Sequence, residues 1–435
     1  MKASSLLLGF ALGLLLLMLF PSAHSDTMFW LFLLTGIFLL VMHAMDKGEG
    51  GDKKVEPPRV DAYDQALLDT LVSNVLDITG SKRGKNGMLI YEGSLKIDPE
   101  EAVNRLENLC AEQRRNYYLE RIDDQESRLV VHAPGSARIA VDPAPKTSYV
   151  RPVLLLVATF LTTTWVGAAH QGIDLLREPG RFPAGIPYSL GLLLILGAHE
   201  MGHYLTARHY RIDVSPPYFI PVPFGLGTFG AFISMRSIPG TRKALFDVAL
   251  AGPLAGLVIA VPALLIGLPL SQYIPIEASM GGGTSLGSSI LLATLAKLAL
   301  GSELAATHVV RLHPLAFAGW LGLFVTALNL LPIGQLDGGH IAHALFGGRG
   351  ARTLSRFAMG AVFLLALFVW PGLLFFAILV FFLAGRTGVP PRNDVVPLSL
   401  SRRLLGYGAM VLLLLIALPL PHPLYESFGL HCPYL

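Results

Sequence analysis

Apolar residues run almost unbroken over 5–21 and 28–45, and again over 150–168, 187–207, 245–269, 314–333 and 404–420. Such runs predict helices that cross a bilayer, which takes about 20 residues each. Residues 357–384 are equally apolar, but Trp370-Pro371-Gly372 interrupts them, so they read as one broken helix or a tight re-entrant pair. The stretch 285–300 is shorter and holds Ser, Thr and Lys297, which suits an interfacial or partly inserted helix. Between the second and third runs the periodicity changes. Residues 61–78 place Leu67, Leu68, Leu71, Val72 and Val75 at helical spacing. A Gly-Lys-Asn-Gly turn at 84–87 then leads into an alternating strand, MLIYEGSLKI. Asp98 as N-cap, Pro99 at N1 and Glu101 at N3 start a helix expected to reach about Arg114. YYLERI and RLVVHA follow as two strands around Asp123-Asp124-Gln125-Glu126, a hairpin.

Composition turns these runs into a class. Of 435 residues, 53% are hydrophobic and 14% charged, where a soluble domain carries about 25% charged. Residues 47–148 hold 15 Lys/Arg and 18 Asp/Glu, more than half of all the charges. The expected fold class is therefore an α-helical polytopic membrane protein with a small soluble α+β domain inserted after the N-terminal hydrophobic segments. Its divisions are 1–46 (hydrophobic segments), 47–148 (soluble domain), 149–384 (membrane core) and 385–435 (linker, helix and tail). Residues 1–25 fit a signal peptide, with Lys2 ahead of the apolar run and Ala23-His24-Ser25 behind it; they fit a retained helix equally well. Lys47, Lys53 and Lys54 after the second run put the soluble domain on the cytoplasmic side. Arg208, Arg211, Arg236, Arg242 and Lys243 do the same for the loop 208–244, and Arg349, Arg352 and Arg356 for the loop 338–356. Arg386, Arg392, Arg402 and Arg403 favour a cytoplasmic return after the broken helix. A net charge of +3 gives no reason to expect a nucleic acid partner. Cys110 and Cys432 lie in very different regions and suggest neither a disulfide framework nor a cysteine metal site.

The chemistry concentrates in LLLILGAHEMGHYLTARHY at 192–210. His199 and His203 are four apart and share a helix face. Two imidazoles so placed can ligate one Zn²⁺, with Glu200 beside them to take a proton from water. Three ionisable groups at the end of an apolar helix are costly to bury in lipid, which favours function over chance. Zinc needs a third protein ligand. His209 has the spacing of the third His in HExxHxxGxxH, but Thr206 stands where that pattern has its turning Gly. No Glu occurs between Glu200 and Glu277, and Glu277 lies in a loop on the other side of the membrane. Asp337, in NLLPIGQLDGGH at 329–340, follows an apolar run directed at the same side as His199 and His203; depth and sidedness favour it over a plain turn residue.

HEMGH at 199–203 together with NLLPIGQLDGGH resembles the paired signature of the site-2 proteases, which are intramembrane metalloproteases. That pattern is HExxH in one helix and N-x-x-P-x-x-x-L-D-G near another, and Asn329, Pro332, Leu336, Asp337 and Gly338 all match it. The likeness covers roughly 150–384, and the stretch PPYFIPVPFGLGTFGAFISMRSIPGTRKALFDVALAGPLAGL resembles the plant-chloroplast and cyanobacterial-type branch. The resemblance implies that His199, His203 and Asp337 bind one Zn²⁺ and that Glu200 is the general base. It implies that Pro332 breaks its helix so that the loop carries Asp337 to the metal. Asn329 would either stabilise an oxyanion or make a helix-packing hydrogen bond. Residues 214–238, with strand-like YFIPV and FGAFISM, are either an edge for unwound substrate or a membrane-dipping loop. Gly252 and Gly256 form a small-xxx-small pair suited to helix packing, and His340 and His343 are not expected to ligate.

The expected function is hydrolysis of membrane-anchored proteins or peptides within or near the lipid bilayer, in regulated intramembrane proteolysis or signal-peptide clearance. A divalent-metal transporter would need polar residues across several spans, and a tethered soluble peptidase would carry HExxH in residues 47–148, where the single His is His132. An inactive scaffold sits badly with intact His199, Glu200, His203 and Asp337. The source is a bacterium or a chloroplast; no Arg/Ser-rich leader is evident, which favours a bacterial inner membrane, with the zinc site nearer the cytoplasmic side.

Overall fold

The hairpin-rich charged module forms one antiparallel sheet. In the computed structural model, residues 62–84, 88–113, 115–122, 126–132, 149–275, 289–300, 308–368, 377–378, 381 and 390–418 are described. Helix α1 (Ala62–Ser73) leads into β1 (Leu76–Arg83) and β2 (Leu89–Leu95), then α2 (Pro99–Glu112), β3 (Tyr117–Arg121) and β4 (Ser127–Val131). The strand order is β1-β2-β4-β3. Leu89, Tyr91, Leu119, Leu129 and Val131 alternate inward and meet Leu68, Val72, Ala102, Leu106 and Cys110 from the helices. Each large side chain removed from water there contributes about 1.5–3 kcal/mol. Tyr91 donates its hydroxyl hydrogen bond to Asp69 Oδ1 at 2.7 Å, which pins α1 to β2. Asp98 caps α2 by accepting from the Glu100 N–H at 3.0 Å.

One expectation in this module is corrected. The helix predicted over 61–78 ends at Ser73, and Leu76–Arg83 is a strand. Val75 prolongs the helical spacing but sits in a turn. Leu76 and Ile78 then pair with Leu95 and Gly93 of β2, so the cross-strand ladder outweighs the local period.

The apolar runs form a bundle of α3 (Val150–Ala169), α4 (Ile186–His209), α5 (Arg242–Gly267), α6 (Ile290–Leu300), α7 (Pro314–Leu330), α8 (Asp337–Phe368) and α9 (Leu400–Ala417). A 3₁₀ segment, Pro179–Gly185, feeds α4. Among the described residues five helices are long and apolar enough to cross a membrane: Val150–Ala169, Pro179–His209, Arg242–Gly267, Asp337–Leu367 and Leu400–Ala417. Helix α7 has 17 residues, about 25 Å at the helical rise, and is short for that task. The loop expected at 338–356 is helical instead: α8 starts at Asp337, breaks at Gly347 (φ 69°, ψ 177°) and resumes. The early part carries Asp337, His340 and His343 on a separate short helix. Helix α8 as a whole packs mainly against α5, with α7 and α9 as further neighbours. The N-terminal runs 5–21 and 28–45, the Trp370-Pro371-Gly372 interruption, Glu277 and Cys432 lie outside the described residues.

Residues 218–232 form a hairpin of β5 (Tyr218–Pro221) and β6 (Thr228–Phe232). Its turn is held by three side chains from the bundle. His170 Nε2 faces the Gly225 carbonyl at 3.3 Å, Tyr188 donates to the Leu226 carbonyl at 2.8 Å, and Thr162 donates to the Gly227 carbonyl at 2.7 Å. A second two-stranded sheet pairs β7 (Gln272–Pro275) with β8 (His308–Arg311).

Candidate metal centre

Helix α4 sets His199 and His203 one turn apart on its buried face, where they are 4% and 7% exposed. Their Nε2 atoms stand 3.1 Å apart. Asp337, the first residue of α8, brings Oδ2 to 3.4 Å from His199 Nε2 and 3.3 Å from His203 Nε2. Donors about 2.0–2.1 Å from a tetrahedral zinc lie about 3.3 Å from one another. The three observed edges are close to that value, so the donor set fits such an ion. The three donors also include no thiolate, a mixture that suits zinc.

The surrounding backbone aims these donors. His203 donates Nδ1–H to the Val248 carbonyl of α5 at 2.8 Å, which leaves its Nε2 lone pair facing the centre. Asn329, near the end of α7, places Nδ2 3.3 Å from His199 Nε2. Helix α7 ends at Leu330, Pro332 occupies the turn, and α8 starts close against α7: a Cβ on Gly338 would stand 1.9 Å from the Leu330 carbonyl oxygen. The Gly at 338 is what allows the turn to deliver Asp337 to the histidines.

Glu200 is 7% exposed and projects into the same cavity, of about 260 Å³. Its carboxyl meets the backbone of Ile233, immediately after β6. Ala231, Phe232 and Ile233 line this cavity together with Asn329 and His340. The hairpin thus forms one wall of the centre.

Of the residues singled out from the sequence, His199, Glu200, His203, Asn329 and Asp337 converge on this cavity. His209 does not: α4 runs on as helix to His209, whose exposed ring packs edge-on against Tyr210. His340 lines the cavity without joining the three-donor group, and His343 turns instead to Asp394. Gly252 carries more than the packing role read from its spacing. A Cβ there would stand 2.1 Å from His203 Nε2, and one on Gly256 would stand 3.4 Å from His199 Cβ. The pair of glycines opens α5 to both imidazoles. The four-residue spacing shared by GxxxG and HExxH is the signal that could have joined them.

Residues 187–370 match a family model described as Peptidase family M50. The chain is 28% identical over 363 residues to "Probable zinc metalloprotease EGY2, chloroplastic" of Arabidopsis thaliana, covering 79% of this chain and 62% of the relative. It is 28% identical over 411 residues to "Probable zinc metalloprotease EGY1, chloroplastic" of the same plant, covering 86% and 74%. With the protein of the latter name from Oryza sativa subsp. japonica it shares 34% over 255 residues, covering 57% and 42%. The chain therefore spans less than two thirds of the EGY2 relative. These relatives are named chloroplastic, so the expected bacterial inner membrane receives no support from them.

Proposed function

We propose that this chain, which matches peptidase family M50 over residues 187–370 and resembles plant zinc metalloproteases, is a zinc metalloprotease of the site-2 type that hydrolyses peptide bonds of membrane-anchored substrates within or near the bilayer. The observation that carries this reading is the triangle of His199, His203 and Asp337 donors beside a buried Glu200, at the end of an apolar helix. In this reading His199, His203 and Asp337 hold one zinc ion per chain. When bound, zinc supplies Lewis acidity toward a carbonyl oxygen and toward water.

The chain's own groups do the rest. Glu200 takes the proton of the attacking water and delivers it to the leaving nitrogen. Its burial beside Ile233 keeps bulk water from competing for that proton. Asn329 directs its amide toward the oxygen on which negative charge develops. A substrate helix hides its carbonyls in its own hydrogen bonds and must unwind before it is cut. The β6 edge supports this: Ala231, Phe232 and Ile233 front the cavity, and an unwound strand there finds backbone partners beside Glu200. The three carbonyls captured at 225–227 keep that edge in place.

Five apolar helices support a multi-pass chain. The Lys/Arg-rich loops favour a centre near the face that bears them, with the sheet module on that same side. A metal transporter would need further ligands along a path, and among the described residues no other group of three or more His, Cys, Asp or Glu side chains converges. The test is cleavage of a reporter transmembrane peptide in detergent by wild type and Glu200→Gln. Wild type cuts and Glu200→Gln does not, while both stay folded. Equal cutting by the two proteins would sink the proposed chemistry.

A further inference from the structure

The segment 390–396 precedes α9 and is far in sequence from both the sheet module and the metal centre, yet it joins them. It lies along the free edge of β3. The Leu119 N–H donates to the Arg392 carbonyl at 2.9 Å, and the Asp394 N–H donates to the Leu119 carbonyl at 2.8 Å. Val395 is fully buried in the core of the module, and Arg121 donates to its carbonyl at 2.9 Å. Arg392 pairs with Glu107 at 2.7 Å. On its other side the same segment bonds to the start of α5. Arg392 N–H donates to the Pro239 carbonyl at 2.9 Å, Asn393 N–H to the Gly240 carbonyl at 3.1 Å, and Arg242 N–H to the Asn393 carbonyl at 3.2 Å.

Asp394 lies between these two contacts and is 0% exposed. One carboxylate oxygen accepts from Arg242 Nε at 2.8 Å, and Arg242 Nη2 also donates to the Asp394 carbonyl. The other carboxylate oxygen accepts from His343 Nε2 at 3.1 Å. Arg242 is on α5, six residues before Val248, whose carbonyl orients His203. His343 is on the short first part of α8, six residues after Asp337. One buried carboxylate thus ties together the two helices that fix two of the three donors.

We infer that Asp394 is a positioning residue for the metal-binding side chains, and that segment 390–396 couples the sheet module to their geometry. The inference rests on the metal-centre reading above. Loss of the Asp394 charge leaves Arg242 buried without its counter-ion and frees α8 at its first turns. The spacing of Val248 and Asp337 then loses the polar tie that holds α5 to α8 from behind the donors. Groups that orient metal ligands from behind typically change metal affinity ten- to a hundred-fold. A displaced sheet module would carry the strap with it and act on the same two helices.

The experiment measures zinc affinity of the metal-stripped full chain in detergent, by competition with a chelator of known affinity, and records melting alongside. Asp394→Asn and His343→Leu should weaken zinc binding about ten-fold or more. His343→Gln keeps a donor for Asp394 and should stay within about two-fold of wild type by the same reasoning. Arg121→Ala combined with Arg392→Ala loosens the strap from the module and should weaken zinc in the same direction. Glu92→Gln breaks the Glu92–Arg128 pair on the module's sheet, away from the strap, and should change nothing. If Asp394→Asn does not fold, the His343→Leu and His343→Gln pair decides. Wild-type affinity in His343→Leu and in a folded Asp394→Asn overturns this inference alone. A wild type that binds no zinc overturns the metal-centre reading and this inference with it.

Discussion

The imidazole of His203 occupies the space a side chain at Gly252 would need: a Cβ there would stand 2.1 Å from Nε2. No rotamer change within helix α5 relieves that overlap, because the clash is with the first side-chain atom. Gly252→Ala should therefore displace His203, drop bound zinc well below one per chain and remove activity. At Gly256 the corresponding distance, to His199 Cβ, is 3.4 Å, an ordinary contact after a small shift. Gly256→Ala should keep most of its zinc. Elemental analysis of the two purified variants checks the contrast; equal zinc in both would mean that the glycines serve helix packing alone.

Asn329 Nδ2 stands 3.3 Å from His199 Nε2. Once that nitrogen donates its lone pair to a metal it no longer accepts from Asn329, and the amide is free to face the cavity. Asn329→Ala should retain zinc and lose about 10²-fold or more in kcat, the usual effect of removing one donor to a developing oxyanion. A variant with normal kcat and a lowered melting temperature would return Asn329 to a packing role.

His313 caps α7: its Nδ1 accepts from the Leu315 N–H at 3.2 Å. Partial burial lowers its pKa below the usual histidine value. The folded state thus favours the neutral ring, and this contribution is complete above the unfolded value near 6.5. It is lost as pH falls below that value, because the unfolded chain then binds the proton first. Protonation also removes the acceptor and puts positive charge at the positive end of the helix dipole. Melting temperature should fall on acidification from pH 7.5 to 5.5. His313→Ser, which caps without titrating, should reduce that fall. An unchanged slope would assign the acid sensitivity elsewhere.

Cys110 lies in the core of the sheet module, and burial pushes its thiol up to about 11. At pH 8 only about one thiol in a thousand is then ionised, and the sulfur is shielded as well. In a Cys432→Ser background, maleimide should label the native protein very slowly and the denatured protein at once. Rapid labelling of folded protein would contradict the packing of α2 against the sheet.

The convergence of His199, His203 and Asp337 on a candidate metal centre was legible in the sequence because HExxH and LDGG are local patterns whose geometry follows from one helix turn and one tight turn. Strand β1 was not. Val75 and Ile78 extend the helical spacing of α1, and only pairing with β2 across a turn decides against it. The start of α8 was hidden likewise, since Asp-Gly-Gly signals a loop while contact with α7 makes it a helix. The strap at 390–396 could not be read at all. Arg-Asn-Asp-Val has no periodicity, and its partners Leu119, Arg242 and His343 are between 50 and 275 residues away. Gly252 shows the intermediate case, in which the spacing was visible and its purpose was not.

The most direct test of the central claim is zinc content paired with cleavage for wild type, Glu200→Ala and Asp337→Ala, purified in detergent. The account predicts about one zinc per chain and cutting in wild type, zinc without cutting in Glu200→Ala, and loss of both in Asp337→Ala. Full zinc and full activity in Asp337→Ala would contradict it, because the donor triangle would then lack the corner that α8 is built to supply.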